Sequence, residues 1–183
     1  MTLLNRYKRN IQQYLGSRNV QHHRTGVISD LANPSSTGLF FCVENKTQLN
    51  EIRKLVRAIR AKKEKTMAFV FSHEQEKIDV ITDHSLFYFD LDDFTLFGKM
   101  KEAVKEAFEK EHFELMISFL SNPDPFCYKL VSEIKAEFKV GPDHPVLTGI
   151  YDLTLNFDLQ KKGYIRFYEH ARHYLSVLNI KTR

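Results

Sequence analysis

Two apolar runs, Gly38 to Val43 (GLFFCV) and Thr66 to Phe71 (TMAFVF), constrain this chain more than any other feature. They flank a segment in which Leu49, Ile52, Leu55, Val56 and Ile59 recur at helical spacing, so the stretch reads strand, helix, strand. A strand that is apolar at consecutive positions has to be covered on both faces. Gly38 to Ser72 therefore reads as one βαβ unit of a parallel sheet held between two layers of helices.

The rest of the chain extends that unit. Leu86 to Phe89 (LFYF) predicts a short third strand, and Phe113 to Leu120 (FELMISFL) a fourth that is apolar on both faces and so central. Glu137 to Val140 predicts a half-exposed fifth. Tyr151 to Phe157 alternates strictly between apolar and polar, the pattern of a sixth strand with one wet face at an edge. Helices are predicted over Lys99 to Lys110, Pro125 to Ala136 and Gln160 to Asn179. The connection from Gly141 to Ile150 is shorter than the dozen or so residues of a usual parallel crossover, which favours an antiparallel sixth strand. Right-handed crossovers then give a three-layer α/β sandwich, Rossmann-like, with strand order 3-2-1-4-5 and strand 6 added at one side.

A length of 183 residues suits one domain with a full core. We place that domain at residues 38–183, preceded by a basic amphipathic helix (2–16) and a linker to residue 37. The net charge of +4 is unevenly spread: residues 1–65 hold 13 Lys and Arg against 4 Asp and Glu. Such a basic third suits RNA or an anionic membrane surface, with Arg6, Lys8 and Arg9 on the first helix and Arg53, Arg57 and Arg60 on the second. The same arithmetic describes solvated helix faces whose stems cover the core edge. Strand 6 or the first helix offers an alternative surface for self-association. No run approaches the roughly 20 apolar residues that span a bilayer, and the N-terminus lacks the features of a secretory signal. With Cys42 in a strand and Cys127 in a helix, no disulfide framework is indicated, and a cytoplasmic location is expected.

Doubly wound sheets bind ligands beyond the carboxyl ends of their strands where the order reverses, here between strands 1 and 4. Glu44, Asn45 and Lys46 follow strand 1, and Ser121, Asn122 and Asp124 follow strand 4; helix N-termini there could hold an anion. Each of these residues is also a good cap or turn former. The first strand-to-helix turn, VENKT, has no glycine, which disfavours dinucleotide binding. Asp90-Leu91-Asp92 matches the D-x-D pattern by which some glycosyltransferases hold a metal and a sugar nucleotide, but turn formation and helix capping are the better account of these aspartates. Cys127 falls on the apolar face of its helix and reads as an inert thiol. His170 and His173 lie one turn apart without a third ligand near in sequence, so they read as a surface pair. No catalytic constellation, cofactor motif or metal motif is present. The expectation is a domain acting by binding, the alternative being a small-molecule or anion site, or an enzyme, at the strand 1 and strand 4 crevice.

The order of features, a basic N-terminal helix, SSTGLFFCVEN, DDFTLFGK, FELMISF, AEFKVG and YDLTLNF before a long final helix, resembles a family of short uncharacterised bacterial proteins over nearly the whole length. That resemblance implies a cytosolic Rossmann-like domain and no particular substrate. A weaker likeness is to the N-terminal half of heptosyltransferase-like glycosyltransferases. Those enzymes require a second Rossmann domain, for which no residues remain here.

Overall fold

A computed structural model describes residues 30–44, 46–61, 65–73, 85–95, 99–120, 125–144 and 149–180. The expected N-terminal helix, with Arg6, Lys8 and Arg9, lies outside the described residues, as do Asn45, Ser121, Asn122 and Asp124. Six strands form one sheet: β1 (Ser36–Val43), β2 (Lys65–Ser72), β3 (Leu86–Asp90), β4 (Phe113–Ser118), β5 (Ala136–Pro142) and β6 (Leu153–Leu155). Their order is β3-β2-β1-β4-β5-β6, with every neighbouring pair parallel. The three most apolar strands occupy the middle, as double-sided burial demands: Leu39, Phe40, Phe41, Phe69, Val70, Met116 and Ile117 have no exposed surface.

Alternation along each strand feeds two cores. Leu39, Phe41 and Val43 of β1 meet α1 (Lys46–Arg60) through Leu49, Ile52, Leu55, Val56 and Ile59, and meet α4 (Leu159–Ile180) through Phe167, Ala171 and Leu175. Phe40 and Cys42 point to the opposite layer, built by α2 (Glu102–Lys110) and α3 (Pro125–Glu133). That second layer is crowded with phenylalanine. Phe71, for example, contacts the rings of Phe89, Phe94 and Phe126 with centroids 5.4 to 6.1 Å apart, in the tilted and edge-on arrangements that ring quadrupoles favour.

Three local features differ from the sequence expectation. First, α2 begins at Glu102 rather than Lys99, because Phe94 and Met100 form an antiparallel bridge and the Lys101 N–H donates to the Asp93 carbonyl at 2.8 Å. Second, β6 is parallel to β5, not antiparallel, and only three residues long. A three-residue strand needs only a short return path, so the usual crossover length does not apply to it. Asp152 fastens its start: its N–H donates to the Lys139 carbonyl (2.8 Å) while its carboxylate accepts the Lys139 N–H (2.7 Å). Third, α4 is interrupted at Gly163, whose φ of 78° and ψ of 170° are open essentially to glycine alone. Among the described residues, no helix is long and apolar enough to cross a membrane.

Candidate functional site

The carboxyl edge of the sheet gathers side chains that the sequence keeps far apart. Cys42 is the penultimate residue of β1 and points into the α3 layer because it follows Phe40 by two. His73 comes directly after β2, whose last residue, Ser72, is in register with Val43 of β1. Cys127 is the third residue of α3, the helix that follows β4, and lies on its buried side beside Phe126 and Val131. Since β2, β1 and β4 are consecutive in the sheet, the three residues meet. Cys127 Sγ lies 3.9 Å from His73 Nε2, and the two sulfurs and one imidazole nitrogen all fall within 4.8 Å of one another. Among the described residues this is the one group of three or more His, Cys, Asp or Glu with such spacing. Cys127 has no exposed surface, His73 is 9% exposed and Cys42 is half-buried, the most exposed of the three. The His73 ring stands edge-on to Phe71 with centroids 4.8 Å apart.

A second polar group adjoins it. Tyr151 donates from its hydroxyl to Ser118 Oγ (2.8 Å) at the end of β4, and its ring meets that of Tyr128, the neighbour of Cys127. Burial pushes the Tyr128 phenol up to about 12 and the Tyr151 phenol well above its ordinary value, and Cys127 adds to both shifts. Both hydroxyls are thus protonated donors at neutral pH.

Of the residues expected from sequence to line the crevice, only Glu44 and Lys46 are described, and neither belongs to this group of three. Glu44 is exposed, its N–H donating to Gln48 Oε1 (2.7 Å) at the entry to α1, and Lys46 opens that helix. Asp90 to Asp93 cap one another: the Asp92 N–H donates to the Asp90 carboxylate (2.7 Å) and the Asp90 N–H to the Asp93 carboxylate (2.9 Å). Their D-x-D spacing is explained by this turn. His170 is packed between the rings of Phe157 and Tyr174, while His173 is exposed. Cys127 is buried as expected, but it is not surrounded by hydrocarbon alone. Sequence patterning marks Cys127 as an inert thiol and Cys42 as a strand residue and does not single out His73; the signal that unites them is their placement at or just after the carboxyl ends of strands predicted to be adjacent.

The helix layers differ in charge. Basic residues outnumber acidic ones five to one in α1 and four to one in α4, which cover the same face. In α2 the ratio is two to three, and in α3 one to one. Arg57 is exposed and Arg53 half-buried, whereas Arg60 donates to Ser85 Oγ (3.1 Å) and so ties the end of α1 to the start of β3. Between α1 and α4 lies an open hollow of about 390 Å³, lined in part by Gln48, Glu51, Lys161, Lys162 and Tyr164.

A family model matches residues 5–178, that of a family of unknown function. No curated protein and no solved structure matches the chain.

Proposed function

The chain belongs to DUF6913, a family of unknown function, and from that premise we propose that it works by binding, presenting the face covered by α1 and α4 to an anionic membrane surface. The observation that carries this reading is the sorting of helix charge: the excess of cations collects on one side of the sheet, while the helices of the other side are close to neutral. Each Lys or Arg near an anionic bilayer contributes about 1 kcal/mol. A lipid surface is favoured over RNA because Ile165 and Val177 are 48% and 42% exposed among the cations of α4. Aliphatic side chains interleaved with positive charge suit a headgroup boundary and add nothing to a sugar-phosphate contact. Arg6, Lys8 and Arg9 would add positive charge to the same contact. The expected cytoplasmic location would set it against the more anionic leaflet.

Sedimentation with phosphatidylserine-containing vesicles tests this. The protein should pellet at low salt, remain in solution with purely zwitterionic vesicles, and lose more than about 10-fold in affinity on combining Arg57→Glu with Arg166→Glu. Charge reversal at Arg6, Lys8 and Arg9 should weaken it further. Failure to pellet at low salt would end the reading, and retention on RNA alone would replace the lipid with a nucleic acid.

A second reading has its own observation, the meeting of Cys42, His73 and Cys127 at the carboxyl edge. It takes that edge as a small-ligand site, for which the sequence offers Glu44, Asn45, Lys46, Ser121, Asn122 and Asp124 as ligand-binding residues.

A further inference from the structure

We infer that Cys42, His73 and Cys127 form a site for a soft divalent metal ion of the zinc type, with three protein ligands and a fourth position open on the Cys42 side. This inference rests on the second reading above and gives its ligand a chemical class. It is independent of the membrane reading, because the three residues lie on the α3 side of the sheet and the basic face on the other.

Distance is the first argument. Zinc bonds of about 2.3 Å to sulfur and about 2.0–2.1 Å to nitrogen place tetrahedral ligand atoms roughly 3.6 Å (S to N) and roughly 3.8 Å (S to S) apart. The observed 3.9 Å from Cys127 Sγ to His73 Nε2 is within a few tenths of that, and no pair in the group exceeds 4.8 Å. Small side-chain rotations close the difference.

Donor chemistry is the second. Two sulfurs and an imidazole select a borderline-soft ion and disfavour calcium and magnesium, which want carboxylate and carbonyl oxygen. Two thiolates also neutralise a divalent charge, which makes burial of the ion tolerable. A cysteine nucleophile activated by His73 fits less well. Cys127 has no exposed surface for a substrate to approach, whereas a metal ion needs only the path beside half-buried Cys42.

Support is the third. Two ligands sit at the ends of central parallel strands and the third in the first turn of α3, where the helix dipole favours negative charge on sulfur. Phe71 fixes the plane of the His73 ring. Tyr128 adjoins Cys127 in the chain, and its ring packs on that of Tyr151, whose hydroxyl is held by Ser118, so the residues flanking the site are themselves fixed. Three ligands with an open fourth position is the arrangement of exchangeable or reactive zinc sites rather than closed structural ones.

The test is metal binding by the full chain after phosphine reduction and chelator dialysis. Zinc alone, titrated against a chromophoric chelator, should bind at about one ion per chain. Cobalt should give intense visible bands of tetrahedral geometry and a near-ultraviolet thiolate band. Cys42→Ser and His73→Ala should each weaken zinc by more than about 100-fold, beyond what loss of a merely supporting group costs. Cys42 is half-buried, so Cys42→Ser should fold even if a change at Cys127 does not. Absence of uptake by the reduced protein, or uptake unchanged in Cys42→Ser, overturns the assignment. If zinc is not bound but a nucleotide or sugar phosphate raises the melting temperature, and Lys46→Glu abolishes that rise, the edge site stands and its metal is refuted. If neither binds, both fall.

Discussion

Lys139, with no exposed surface, reaches from β5 to donate its ammonium to the carbonyl of Val131 in the last turn of α3, and to that of Ser132 at 3.1 Å. It thereby satisfies carbonyls that the helix leaves unpaired. The opposite end of the same helix carries Cys127, so Lys139 anchors the element that positions the thiol. Lys139→Met keeps the aliphatic volume and removes the donor. It should lower stability by about 1–3 kcal/mol, read as a shift of the urea midpoint without a change in slope. An unchanged midpoint would show that the carbonyls find other donors.

Gly141 is where the Tyr151 ring lies on the sheet, and a Cβ there would collide with that ring. Gly141→Ala should cost about 1–3 kcal/mol through forced displacement of Tyr151, breaking its hydrogen bond to Ser118. If the clash is the cause, combining Gly141→Ala with Tyr151→Ala should cost less than the two single losses added together. Thermal melts of the four proteins in the cycle decide this.

Glu114 of β4 accepts from the Ser35 hydroxyl (2.6 Å) and the Ser35 N–H (2.7 Å), and these bonds hold its carboxyl below the ordinary glutamate range. A carboxyl depressed in the folded state stabilises at all pH values above its unfolded pKa. The benefit disappears as pH falls through the folded value. Ser35→Ala removes the hydroxyl bond, so it should lower stability at neutral pH by less than about 1 kcal/mol for a solvent-screened pair. The difference from the wild type should vanish in acid, and equal deficits at pH 7 and pH 3 would refute the linkage.

Gly163 interrupts α4 in a conformation that strains any L side chain, yet a Cβ there would meet nothing within 4 Å. Gly163→Ala therefore isolates backbone strain from packing and should cost about 1–3 kcal/mol. A neutral result would mean that the Asp158-capped first turn, where the carboxylate accepts the Lys161 N–H at 3.1 Å, shifts freely.

The middle of the sheet was legible without coordinates because its cause is local. LFFCV, MAFVF and LMISFL carry no polar alternation, and a strand apolar at successive positions has one stable setting, between neighbours and under helices on both sides. Helix α1 was legible for a related reason, since one stripe of Leu and Ile must face that sheet. The direction of β6 was not. It depends on where Asp152 meets Lys139, a pairing between residues whose sequence pattern does not mark them as partners.

By itself the sequence determined the layers and the strand order, because periodic burial is a property of short stretches. Tertiary structure alone decided that Cys42, His73 and Cys127 share one small volume and that Lys139 closes α3. Those contacts join segments whose separation along the chain carries no information until the parallel register of β2, β1 and β4 brings their carboxyl ends side by side.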